Sequence, residues 1–123
     1  MNEKYLFDTY ALMEILKSNQ LYQTYTENST MIINDFIFAE FCYNLFREKV
    51  ENSKNYVKEI IPAIVHADPE MIEEAMEFRL KWKDRGVSMT DCIGYIMAKR
   101  LGIKFLTGDK EFERLENVEF VKK

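Results

Sequence analysis

Four acidic residues, Asp8, Glu40, Asp91 and Asp109, lie where a folded chain of 123 residues could gather carboxylates. Asp8 follows the apolar run Tyr5-Leu6-Phe7, and Asp109 follows a second such run through Thr107-Gly108. Glu40 sits inside an apolar stretch, and Asp91 stands three residues after Ser88 at the start of a helical pattern. Carboxylates within a few ångströms repel one another unless a cation lies between them. An all-oxygen set suits Mg²⁺, with Mn²⁺ as a substitute, because hard cations prefer carboxylate and water ligands. Such ions bind phosphate, activate water and stabilise a leaving oxygen, so the chemistry indicated is phosphodiester hydrolysis.

Each acid also has a plainer role open to it. Asp8 suits the N-cap of a following helix, Asp91 a first helical turn facing the helix dipole, and Asp109 an ordinary turn after Gly108. Glu40 is less easily explained, because Phe36, Ile37, Phe38, Ala39, Phe41, Cys42 and Tyr43 surround it. A helix apolar at nearly every angle is buried or forms an interface, and an unpaired carboxylate there is costly or protonated. A bound metal ion removes that penalty.

The elements that must position these residues alternate between strand and helix. Tyr5–Phe7 reads as a strand leading into a helix that carries Ala11, Leu12, Ile15 and Leu16. A short helix around Leu21–Tyr25 and a loop precede a strand at Met31–Ile33. Asn34 or Asp35 caps a helix to Arg47, and a more polar helix runs from Lys49 to Ile61, where Pro62 stops it. An extended segment over 63–67 leads to Asp68-Pro69, which opens a helix through Lys83. Ser88 caps the helix that ends at Gly102, followed by a strand at Ile103–Leu106, a short helix around Glu111–Leu115 and a strand at Val118–Val121. This order predicts an α/β fold: one domain over residues 1–123, with a mostly parallel central sheet of four to five strands and helices on both faces. In such sheets the ligand crevice lies beyond the carboxyl ends of the strands, which is where Asp8, Asp109 and the start of the Asp91 helix would meet.

Composition narrows the alternatives. An apolar share of 47% with only four Gly and two Pro suits one hydrophobic core and argues against disorder. No apolar run approaches the ~20 residues of a bilayer span, and with no export signal the expected location is the cytoplasm, with no membrane partner. Cys42 and Cys92, with His66 the single histidine, do not make a zinc site. A net charge of −4 supplies no global attraction for nucleic acid, so a polyanionic substrate needs local cations or metal ions.

Together, these pieces resemble the PIN-domain family, in its small VapC-type form of ribonuclease toxins from prokaryotic toxin–antitoxin pairs. The resemblance is carried by Phe7-Asp8-Thr9-Tyr10-Ala11-Leu12, by Ile33-Asn34 with Glu40 after it, by Ser88-Met89-Thr90-Asp91-Cys92-Ile93-Gly94, and by Thr107-Gly108-Asp109-Lys110-Glu111-Phe112. It implies that Asp8, Glu40, Asp91 and Asp109 bind metal, that Thr107 helps position them or a bound water, and that the substrate is RNA. It further implies a homodimer and a cognate antitoxin that blocks the site. A non-catalytic PIN-like module acting only through protein partners is the alternative.

Secondary candidates are weaker. Glu111 and Glu113 read as solvated charges on a short helix, and Lys81, Lys83 and Arg85 as a cationic helix end with Trp82 packed inward, although they could grip phosphate. Lys99, Arg100 and Lys104 share that ambiguity, and Arg47 and Lys49 are candidates for the crevice mouth. His66 has no acid of the set near it in sequence, which disfavours it as a base. Tyr22, Tyr25, Phe36, Phe41 and Tyr43 are candidates for an exposed partner surface.

Overall fold

At the centre lies β1 (Glu3–Phe7), hydrogen-bonded on one side to β2 (Ser29–Ile32) and on the other to β3 (Lys104–Thr107). The sheet is completed by β4 (Val118–Phe120), giving the order β2-β1-β3-β4 with all pairings parallel. This is a computed structural model and describes residues 3–122. Among the described residues six helices flank the sheet: α1 (Thr9–Leu16), α2 (Gln20–Asn28), α3 (Asp35–Arg47), α4 (Ser53–Ile60), α5 (Pro69–Lys81) and α6 (Met89–Leu101). The fold is therefore the predicted α/β arrangement, with four strands.

Strand order reverses between β1 and β3, because the chain moves from β1 outward to β2 and then returns to the other side. That reversal opens a crevice at the carboxyl ends of the two strands. The core beneath it is built from Leu6, Phe7, Phe105 and Leu106 of the central strands with Ile93, Met97 and Ala98 of α6, all buried. At Gly94 this helix comes so close to the sheet that an added Cβ would lie 2.9 Å from Cε1 of Phe105. Gly94 therefore packs directly on the sheet.

Several boundaries differ from the predicted ones. The fourth helix starts at Ser53 instead of Lys49, since Lys49 and Asn52 adopt positive φ of 54° and 60° and break the run. Helix α2 extends over Gln20–Asn28 and passes directly into β2, leaving no loop. Over 63–67 the only sheet-like pairing is a bridge between Ile33 and Ile64. The helix expected around Glu111–Leu115 is a single 3-10 turn at Lys110–Phe112. Among the described residues no helix is long and apolar enough to cross a membrane.

Helix α3 is apolar all round for two separate reasons. Ile37, Phe41 and Leu45 face the core, whereas Phe36, Tyr43 and Phe46 are exposed. Of the residues expected on a partner surface, Phe36 and Tyr43 fit; Tyr22 and Phe41 are core, and Tyr25 is half-buried.

Gly94→Ala should force Phe105 aside and destabilise the fold by roughly 1–3 kcal/mol, the usual cost of overpacking, measurable as a lowered urea midpoint.

Candidate metal-binding cleft

Asp8 sits one residue beyond β1, and its backbone N–H donates to the Leu106 carbonyl at 3.1 Å, continuing the β1–β3 ladder. Its side chain turns back as the N-cap of α1, where Oδ1 accepts from the Ala11 N–H at 2.7 Å. The residue is 2% exposed. Burial pushes its carboxyl up to about 8; the Thr107 hydroxyl and the Ala11 N–H oppose that rise, and the charges of Asp91 and Asp109 add to it.

Asp91 lies in the first turn of α6, held by the cap before it. The Ser88 hydroxyl accepts from the Asp91 N–H at 3.0 Å and also hydrogen-bonds the Asp91 carboxylate. Burial raises this carboxyl to about 6 against that bond, with further upward pressure from Asp109 and Glu40. Asp109 caps the 3-10 turn after β3 through Oδ1, which accepts from the Glu111 N–H at 3.0 Å. Glu40, on α3, accepts a hydrogen bond from the Thr9 hydroxyl at 2.7 Å.

All four acids line one open cleft of about 570 Å³, together with Thr9, Tyr10, Ser88, Gly108 and Lys110. Thr107 is fully buried beneath it, and its hydroxyl accepts from the Asp109 N–H at 3.0 Å. Of the two environments open to Glu40, interior or interface, it lies in neither a closed interior nor free solvent: it is half-exposed at the cleft, and Asp8 is the buried member of the set. Ser88 and Thr9 were not among the predicted site residues, although the Ser88-x-x-Asp91 spacing is the signal that could have identified the first.

Other candidates lie elsewhere. His66 is exposed and pairs with Asp35. Lys99 pairs with Glu116, Arg100 with Glu70 and Glu74, and Lys104 with Glu119. Arg47 pairs with Glu48 and lies over the Tyr43 ring, and neither Arg47 nor Lys49 lines the cleft.

Among the described residues no three His, Cys, Asp or Glu side chains stand close enough to hold a metal ion as they lie. The donor set nevertheless fits a hard divalent cation: it consists of oxygens, and two of its carboxyls are pushed towards the uncharged form by burial and by the neighbouring acids. Binding would require the side chains to draw in around the ion.

Gly108 is pinned in this cleft. A Cβ there would lie 2.4 Å from Cε1 of Tyr10 and 2.6 Å from the Tyr22 hydroxyl, so the Asp109 turn has no room for a larger residue.

The PIN-domain family model matches residues 5–118, and the chain belongs to that family. Among solved structures, the chain is similar to VapC20 of Mycobacterium tuberculosis, a toxin that cleaves the sarcin–ricin loop: TM-score 0.81, 15% identity, covering 97% of this chain and 99% of the other. It is also similar to a chain of a toxin–antitoxin complex from Klebsiella pneumoniae, with a TM-score of 0.79, 15% identity and the same coverage. A third similarity is to VapBC2 of Rickettsia felis, bound to a DNA fragment from their promoter, at a TM-score of 0.73 and 19% identity over 98% of both chains. Among curated proteins no sequence matches significantly.

The folded-state carboxyl of Asp8 binds its proton more tightly than the unfolded one, which titrates near 3.8. Its contribution to stability is therefore complete below about pH 4 and lost as pH rises through about 8. Without divalent ions, urea unfolding should show falling stability from about pH 5 to about pH 8, and Asp8→Asn should flatten that fall.

Proposed function

We propose that this chain is a Mg²⁺-dependent endoribonuclease that hydrolyses RNA phosphodiester bonds, the toxin of a toxin–antitoxin pair acting in the cytoplasm. The observation that carries this reading is the convergence of Asp8, Glu40, Asp91 and Asp109, from four separate elements, on one cleft at the strand reversal of a PIN domain. The similarity to VapC20 and to toxin–antitoxin complexes supports the RNA substrate and the pairing.

Asp8, Glu40 and Asp91 would hold the ion, with Asp109 completing its set or orienting the attacking water. Bound there, Mg²⁺ supplies positive charge that ionises the carboxyls, binds the scissile phosphate and makes water a better nucleophile. The protein's own contribution is orientation. Thr107 and the Ala11 N–H fix the Asp8 carboxylate, Ser88 fixes Asp91, and Thr9 fixes Glu40. A carboxylate at the cleft accepts the proton of the attacking water; its oxygen bonds to phosphorus as the P–O3′ bond breaks, and the departing 3′ oxygen takes up a proton from solvent, leaving a 5′-phosphate and a 3′-hydroxyl.

Protein partners are part of the reading. An apolar groove of about 460 Å³ that includes Leu12, Leu16, Met31, Phe41 and Tyr56 supports docking of the antitoxin. The exposed Phe36, Tyr43 and Phe46 on α3 support a homodimer. Tyr43→Glu should convert a dimer to monomer in analytical ultracentrifugation.

Asp8→Asn should lower cleavage of total cellular RNA by more than roughly 100-fold, the scale on which loss of one charge-stabilising group falls, with the fold retained by circular dichroism. EDTA should abolish wild-type cleavage, and end-labelling should find 5′-phosphates. Full activity of the variant in EDTA would overturn the reading.

A further inference from the structure

A small cavity of about 160 Å³ adjoins the acidic cleft, and Lys110 lines both. Its walls include Trp82, Arg85 and Arg114, with Glu111 and Glu113. Four contacts tie this cavity to the cleft. Trp82 stacks on Phe78 with centroids 5.1 Å apart, and the Arg85 guanidinium lies over the Trp82 ring at 4.2 Å. Arg85 Nε donates to Glu111 at 3.1 Å, and the Glu111 N–H is itself held by the Asp109 carboxylate.

The guanidinium is thus oriented on two sides, while among the described residues no protein hydrogen bond engages its Nη atoms. Those atoms present the planar fork that suits a phosphate. Lys110 and Arg114 form no ion pair among the described residues, and Glu111 is already matched by Arg85. The cations on the distal side are instead neutralised: Lys99, Arg100 and Lys104 each pair with glutamates.

An RNA strand whose scissile phosphate enters the acidic cleft must lead its neighbouring phosphates out of it. In a chain of net charge −4, that exit needs local cations. From this arrangement we infer that Arg85, Lys110 and Arg114 form a backbone-phosphate subsite, which grips single-stranded RNA beside the scissile bond. Trp82 is a platform for Arg85 and does not stack on a base, because Phe78 and Arg85 occupy it. The subsite rests on the proposed ribonuclease reading.

The test is fluorescence anisotropy of a labelled single-stranded RNA of about ten nucleotides with Asp8→Asn protein in Mg²⁺, over a salt series. Adding Arg85→Ala and Arg114→Ala should weaken binding by about tenfold and reduce the slope of log affinity against log salt by about 0.7 for each phosphate no longer neutralised. Arg100→Ala, which removes a neutralised cation, should leave the slope unchanged. Arg85→Lys should recover part of the affinity. In the otherwise wild-type protein, the double substitution should raise KM for the RNA by a larger factor than it lowers kcat. Unchanged binding and slope on these substitutions, with cleavage of RNA by the wild-type protein, would overturn the subsite alone. Failure of the wild-type protein to cleave any RNA would overturn the ribonuclease reading and the subsite with it.

Discussion

Much of this molecule is arranged around a carboxylate that is expensive to bury. Asp8 stands at the end of the central strand, almost wholly buried at the cleft, and neighbouring acids increase the cost of its charge. Among the described residues two neighbours relieve it, the Thr107 hydroxyl and the Ala11 N–H, and each comes from an element that must be in place first. The β1–β3 pairing brings Thr107 alongside, and the first turn of α1 supplies the amide. The sheet order and the start of α1 are therefore conditions of the site as much as of the core.

Capping accounts for the conformation of these acids without accounting for their charge. Asn and Ser cap helices about as well as Asp and carry no charge to desolvate. A neutral residue at position 8 could accept from the Ala11 N–H while avoiding the burial that drives its carboxyl to about 8. At Asp91 the case is stronger, because Ser88 already caps α6. A second polar group in that turn gains only a dipole contribution of about 0.3–1 kcal/mol, against a burial that raises its carboxyl to about 6. The unmet demand for positive charge is the physical basis for reading the cleft as a cation site.

Legibility of this arrangement in the sequence is uneven, for physical reasons. Short apolar runs ending in Asp8 and Thr107-Gly108-Asp109, and a serine three residues before Asp91, are local signals, and the elements they announce form where expected. Helix α3 is different, because its apolar sequence suggests that it encloses Glu40. Periodicity cannot separate a core stripe of Ile37, Phe41 and Leu45 from an exposed one of Phe36, Tyr43 and Phe46 when both are aromatic or aliphatic. The same ambiguity puts Phe41 on the expected surface and leaves Glu40 between an interior and an interface. Tyr22 is illegible because its environment is entirely long-range: its hydroxyl donates to the Val121 carbonyl at 2.6 Å, and its ring meets Tyr10 across Gly108.

The charge distribution follows the same division between local pattern and tertiary placement. Cations near the ends of α5 and α6 look alike in sequence, each a favourable partner for a helix C-terminus. In the folded chain, Lys99 and Arg100 meet glutamates and so does Arg85, whereas Lys110 and Arg114, beyond β3, are left without ion pairs among the described residues. Net charge then understates what a polyanion would encounter near the cleft, because much of the acid lies in distal pairs and in the four cleft carboxylates themselves. A divalent cation drawn to those carboxylates would offset part of their charge, and Lys110 stands between the cleft and the adjoining cavity of Arg85 and Arg114. An acidic protein can in this way present a locally attractive path to a phosphate backbone, provided the cleft is filled.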